Sequence, residues 1–234
     1  MESLERYNVK LKEPIHVIYN LLNPELIRDK AEAAIDEKFD FPYIVHVGRL
    51  HSVKSQDFLL RSFAEFKNII SHKLKESGAI TEKESNVSNL TELNKLKLVF
   101  VGDGPLKEEL KSLAENLKIS NDVVFVGNKS NPYPYIKGAQ ALTLTSKMEG
   151  MGLVLVEALI LHVQPIAVLG KGGIKDIMHG ELLKNTIRFD EKDYANKIIE
   201  VLNNPTQITA QMYEPFTPKA VVKKFEELAN YQGK

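Results

Sequence analysis

The chain has 234 residues with 31 basic and 31 acidic side chains, so no net field draws it to nucleic acid or to an anionic membrane. Its 43% hydrophobic and 26% charged residues are those of an ordinary globular protein with room for one large domain and appended arms but no second full domain. The absence of cysteine excludes disulfides, thiolate metal sites and cysteine nucleophiles, and Met1–Arg6 has neither the basic nor the apolar region of a secretory signal.

Residues 1–40 read as a lead-in. They hold a short apolar run, Ile15–Tyr19, a turn over Asn20–Pro24 and a helical stretch from Glu25 to Ile35. From 41 to 210, short β-branched runs alternate with stretches of helical period, the signature of βαβ units around a parallel sheet. The spacing predicts strands at Tyr43–Val47, Leu96–Val101, Asp122–Val126, Ala139–Leu144, Gln164–Val168 and Thr186–Phe189. Most are near-continuous apolar runs, as strands covered on both faces should be. Between them, helices are predicted at Gln56–Ser71, Leu106–Leu117, Leu153–Leu161 and Glu191–Leu202. Residues 71–95 are polar without steady period and read as a surface insertion. Over 211–234, Pro215–Pro218 opens a final helix, Lys219–Tyr231. The fold class is therefore α/β, a Rossmann-like doubly wound parallel sheet of about six strands. In such sheets ligands lie at the carboxyl ends of the strands, which directs attention to the loops after Val47, Val101, Val126 and Leu144.

The most informative loop is the one after Leu144. Glu149 and Glu157 are eight positions apart, which on one continuous helix would separate them by roughly 80°. Gly150 and Gly152 break that helix, so Glu149 falls ahead of it and Glu157 on its second turn. The free amides of Met151 to Val154 then open toward the same cleft as an anion site. Amides for a diphosphate beside carboxylates for vicinal hydroxyls suit a sugar nucleotide. Two solvated glutamates favoured by the helix dipole explain the segment equally well when it is taken alone. After the first strand, Gly48 permits close backbone approach, and Arg49 with Lys54 sets two cations at the loop mouth where a diphosphate would lie, serving binding and not fold stability. The Asp103 loop reads as a tight turn. Pro132–Tyr135 fits either a base-stacking surface or a turn feeding the next helix. No histidine pair has metal-ligand spacing and no Asp-x-Asp occurs, so no metal is expected.

Taken in order, Val47–Leu50 with Lys54, Val101–Pro105, Val124–Gly127, Ser146–Gly150 with Glu157-Ala158, then Pro165 and Gly172-Gly173 resemble the retaining glycosyltransferases of the GT-B fold, group one. The resemblance covers residues 15 to 230 and is to the C-terminal, donor-binding domain, one half of a GT-B fold. It implies that Arg49 and Lys54 bind the donor diphosphate, that the amides of Gly150, Met151, Gly152 and Leu153 support phosphate and hexose, that Glu149 contacts the transferred sugar and that Glu157 holds the ribose. It also implies that the segment from Gly127 through Asn128 and Lys129 borders the base. The catalytic set so implied is Glu149, Arg49 and Lys54, acting by preorganised charge without a cofactor on a nucleoside-diphosphate sugar, a UDP-sugar foremost. The expected activity is hexose transfer with retention to a glycan or lipid-linked acceptor, in cell-surface polysaccharide or lipopolysaccharide synthesis.

Three departures stand out. Ser55 takes the place of the family's usual glycine after Lys54, an extra residue precedes Pro165, and His179–Asn185 replaces the usual run after Gly173. The resemblance further implies that the acceptor is held by an N-terminal domain missing here, so that Met1 begins a shortened or split protein and this chain alone lacks full activity. Ile15–Asn20 resembles the interdomain crossing. The expected place is cytoplasmic, with peripheral membrane association through the missing half. A sugar-nucleotide epimerase of the same architecture and a non-catalytic nucleotide-binding domain are the competing readings.

Overall fold

The computed structural model describes residues 16–37, 39–77 and 84–231, so the run that begins at Ile15 and the middle of the 71–95 segment extend outside the described residues. The first helix, α1, spans Pro24–Ala31, with Asn23 Oδ1 accepting from the Leu26 amide at 2.9 Å and proline at the first helical position. It is shorter than predicted, and beyond it Glu37 pairs with Lys129 and accepts from the Tyr135 hydroxyl.

The sheet strands are β1 (Tyr43–Val47), β2 (Lys97–Val101), β3 (Val123–Gly127), β4 (Ala141–Leu144), β6 (Gln164–Val168) and β8 (Thr186–Ile187); β1 and β6 have the predicted ends, β3 is displaced by one residue, and β2, β4 and β8 are trimmed. They form one parallel sheet in the order β3-β2-β1-β4-β6-β8. The remaining two, β5 (Met148–Glu149) and β7 (Lys171–Gly172), make a separate two-stranded ladder that sequence periodicity missed because two residues carry no period. The doubly wound α/β class is confirmed. The chain runs outward from β1 through β2 to β3, then crosses to β4 on the other side of β1, which places the switch point between β1 and β4.

Strand alternation sends Tyr43 and Val45 to one face and Ile44 and His46 to the other. The first face packs on Leu155, Val156 and Leu159 of α6 (Leu153–Ile160). The second packs on Leu59, Phe63, Phe66 and Ile70 of α2 (Gln56–Ser77) and on Tyr194 and Ile198 of α8 (Glu191–Asn203). Burial of each large side chain stabilises by about 1.5–3 kcal/mol. The stretch expected as a polar surface insertion carries two helical pieces: α2 continues to Ser77, and α3 spans Glu84–Lys95. Leu74, Leu90 and Leu93 anchor them to the core, an apolar stripe too sparse to register as a period. Helix α4 (Lys107–Asn116) follows β2, the short α5 (Tyr133–Lys137) precedes β4, and α7 (Ile174–Ile177) follows β7. The closing helix α9 (Pro218–Tyr231) follows two 3-10 turns, and the 16–23 segment lies against them, with Leu22 donating to the Phe216 carbonyl at 2.7 Å. Among the described residues no helix is long and apolar enough to cross a membrane.

Two of the sequence departures become backbone features. The extra residue before Pro165 lets α6 end on His162 at φ 58, with Val163 N donating to the Ala158 carbonyl at 2.9 Å; this is a left-handed helix cap made without glycine. Ser55 is also left-handed, φ 51 and ψ 46, and its buried Oγ has no hydrogen-bond partner. A side chain in that region costs about 1–2 kcal/mol. Ser55→Gly is therefore expected to stabilise the protein by about 1 kcal/mol, since it removes both the strain and the orphaned hydroxyl. A urea melt with an unchanged slope and a midpoint no higher than the parent's would contradict this.

Candidate functional site

The loops after β1 and β4 meet at the switch point and are tied to each other. Thr145 Oγ1 donates to the Lys54 carbonyl at 2.9 Å, and Lys147 N donates to the Val53 carbonyl at 2.9 Å. Residues Ser52–Lys54 form a 3-10 turn that turns the Lys54 side chain toward Glu149. The Lys54 ammonium lies 2.5 Å from Glu149 Oε1, which also accepts from the buried Ser146 hydroxyl at 2.5 Å. Glu149 is held there by the β5–β7 ladder. A Cβ on Gly172 would come within 1.8 Å of the Glu149 carbonyl oxygen, so the close approach of the two short strands requires glycine.

From Glu149 the chain passes exposed Gly150 and half-buried Met151 to Gly152, which at φ 81 is the N-cap of α6 and offers no side-chain cap. Leu155 N donates to the Gly152 carbonyl at 2.9 Å, so the amides of Leu153 and Val154 are those left for an anion. Glu157 follows on the second turn, half-buried, and accepts from the Tyr133 hydroxyl. Burial raises its pKa above the ordinary carboxyl value, with the Tyr133 bond opposing.

Beside this lies a cleft of about 470 Å³ whose walls include Gly48, Arg49, Asp103, Asn128, Lys129 and Pro132. The structure therefore brings Gly48 and Arg49 together with Asn128 and Lys129, and Glu149 together with Lys54, as two adjoining parts. Arg49 is exposed, and among the described residues its guanidinium has no carboxylate partner. Lys129 is differently placed: its ammonium is 2.6 Å from Glu37 and lies over the Tyr135 ring at 5.6 Å, and these contacts raise its pKa. Its side chain fastens the lead-in to the cleft wall. The Gly127 carbonyl accepts from Gly102 N at 2.8 Å. Asp103 is the turn that its sequence suggests, with Oδ1 accepting from Gly104 N and Oδ2 from Lys107, each at 2.8 Å, which lowers its pKa. The Tyr133–Glu157 contact and the Glu37–Lys129 pair escaped the sequence reading. Both join residues far apart in the chain, and a lone tyrosine or glutamate carries no signal of its partner.

A parallel sheet with a polar cleft and an uncapped helix start at its switch point defines a doubly wound α/β domain with its cleft where such sheets hold ligands. The chain belongs to the family described as glycosyl transferases group 1, whose profile matches residues 27–220. It is 26% identical over 184 residues to an uncharacterised glycosyltransferase of Methanocaldococcus jannaschii, covering 76% of this chain and 40% of that protein. It is 28% identical over 178 residues to the N-acetylgalactosamine-N,N'-diacetylbacillosaminyl-diphospho-undecaprenol 4-alpha-N-acetylgalactosaminyltransferase of Campylobacter jejuni, covering 75% and 40%. The chain thus spans well under two thirds of the length of these relatives. Among solved structures it is similar to the lipopolysaccharide outer core galactosyltransferase WaaB, with TM-score 0.69, 19% identity and coverage of 99% and 59%. It is also similar to Anabaena HepE in complex with UDP-glucose, with TM-score 0.61, 19% identity and coverage of 93% and 57%. The fold is that of one Rossmann-like half of the GT-B glycosyltransferases.

The two loop cations should differ in stability effect, against the expectation that neither contributes. Lys54→Ala leaves the Glu149 carboxylate, 12% exposed, without its cation, and should destabilise by about 1–3 kcal/mol. Arg49→Ala should change stability by less than about 0.5 kcal/mol. Equal denaturation midpoints for the two variants would refute the distinction.

Glu157 has a folded pKa above its unfolded value, so the folded chain binds that proton more tightly. Its contribution is fully favourable below the unfolded value, near 4.5, and is lost as pH rises through the raised folded value. The stability of Glu157→Gln relative to the parent should therefore increase with pH across that interval. Parallel pH–stability curves would rule it out.

Proposed function

We propose that the chain is the donor-binding half of a retaining glycosyltransferase that takes a hexose from a nucleoside-diphosphate sugar, a UDP-sugar foremost. The observation that carries this reading is the Glu149 carboxylate, set by Lys54 and Ser146 immediately ahead of the uncapped α6 N-terminus. In that arrangement a diphosphate meets the α6 amides, Lys54 and the unpaired Arg49, while the hexose meets Glu149. Glu157 faces the ribose, and the cleft wall at Gly127, Asn128 and Lys129 borders the base.

As the bond between the anomeric carbon and the diphosphate oxygen breaks, negative charge grows on the departing phosphate. Arg49, Lys54 and the helix amides are fixed cations and dipoles aimed at that charge, and no cofactor takes part in the step so drawn. Hydrogen bonds from sugar hydroxyls to Glu149 orient the anomeric carbon. Because Lys54 already touches Glu149, the same ammonium links the sugar contact to the leaving group. The Campylobacter relative is named for transfer to a diphospho-undecaprenol-linked sugar, and HepE forms a complex with UDP-glucose. For this chain those classes translate into a glycan or lipid-linked acceptor and cell-surface polysaccharide or lipopolysaccharide synthesis. Such an acceptor fits work at the inner membrane face.

Calorimetric titration tests the assignment of Glu149. Glu149→Ala should weaken UDP-glucose, or whichever UDP-hexose the parent binds, by about tenfold or more relative to the parent, with a markedly smaller loss for UDP alone. Equal losses for both ligands would take Glu149 away from the sugar.

A further inference from the structure

Beneath the Arg49 loop lies a buried polar chain that the donor site does not use directly. His46 takes the β1 position that alternation assigns to the α2 face, fully buried with its ring 5.6 Å from that of Phe100. Its Nδ1 is 3.1 Å from the Thr143 carbonyl oxygen. A carbonyl can only accept, so Nδ1 bears the proton and Nε2 offers a lone pair. Burial agrees with the neutral form, pushing the pKa down to about 4 against the opposing Thr143 bond.

Gln56, the first residue of α2, completes the chain. Its Nε2 donates to His46 Nε2 at 3.3 Å and to the Arg49 carbonyl at 2.8 Å, which uses both amide protons. The opposite amide orientation would turn an oxygen toward a lone pair and a carbonyl. Gln56 Oε1 is consequently buried with no partner. An orphaned buried acceptor opposes folding, so its retention means that the two other contacts fix the side chain. Gly48 and Leu50 are tied by their own amides to Val101 and Asp103, but Arg49 is tied through this carbonyl. Among the described residues the Arg49 guanidinium has no carboxylate partner, and the backbone at Arg49 sets the point from which it reaches the cleft.

We propose that His46 and Gln56 are positioning residues for the donor diphosphate: the Thr143 carbonyl, His46, Gln56 and the Arg49 carbonyl form a strut from the centre of the sheet to the loop. The strut fixes the backbone from which Arg49 reaches the cleft. This inference rests on the reading of Arg49 as a diphosphate ligand, and the test separates the two.

UDP is titrated into the parent, Gln56→Leu, Arg49→Ala and the double variant, with thermal melts to establish folding. Gln56→Leu should weaken UDP by about tenfold, equivalent to ~1.4 kcal/mol, and should add nothing in the Arg49→Ala background. That non-additivity is a readout that general loosening of the fold would not produce. Where Gln56→Leu alone folds poorly, the His46→Phe/Gln56→Leu pair removes donor and acceptor together and takes its place in the cycle. An equal loss in both backgrounds would overturn the strut, as would unchanged binding by Gln56→Leu beside a weakened Arg49→Ala. Normal UDP binding by Arg49→Ala would remove the diphosphate reading and the strut with it.

Discussion

The Lys54–Glu149 ion pair depends on a topological fact and in turn organises the candidate site. Because the chain crosses from β3 to β4 beside β1, the loops after β1 and β4 are forced together, stitched by Thr145 to the Lys54 and Ser55 carbonyls, by Lys147 to the Val53 carbonyl, and by the ion pair itself. With both charges largely removed from water, the pair is favourable only where extra hydrogen bonds complete it, and the Ser146 hydroxyl supplies one. The β5–β7 ladder sets the backbone that makes this geometry possible. Loss of the close approach at Gly172 would move Glu149 as a unit with its strand.

Around this pair the chain tolerates several local costs. Ser55 is strained with an orphaned hydroxyl, Gln56 has an orphaned carbonyl, and Glu157 is a carboxylate disfavoured by burial. All lie at the meeting of the β1 loop with the β4 loop and α6. Polar groups bound to water in the unfolded chain must here stay in fixed directions in a half-buried place. The proposed donor, charged and rich in hydroxyls, would draw on that arrangement, and the two apolar faces of the sheet supply the opposing stability.

The fold was largely legible. Tyr43–Val47 and Gln164–Val168 form strands with the predicted ends, because buried β-branched runs between turn residues have one stable outcome in a sheet covered on both faces. The helix within the polar stretch around α3 was not legible: a helix anchored by few leucines has a weak apolar period, and only packing on α2 makes its face apparent. Family membership was legible for a related reason. The glycine, cation and glutamate spacings fall where the backbone must turn and where charge must meet the cleft, and such spacings survive in the linear order.

The sequence by itself determined the βαβ class, the strand positions, the family and the identities of Arg49, Lys54, Glu149 and Glu157 as the chemically distinctive residues, since each follows from local pattern or ordered spacing. Tertiary structure decided how those residues are deployed. It committed Lys54 to Glu149 and left Arg49 without a carboxylate partner among the described residues, paired Lys129 at the cleft wall with Glu37, placed Tyr133 against Glu157 and set His46 and Gln56 beneath the loop. Apart from the local link through Gln56, these contacts join residues far apart in sequence, and electrostatic partners of that kind are fixed only when the sheet order brings their loops within hydrogen-bond reach.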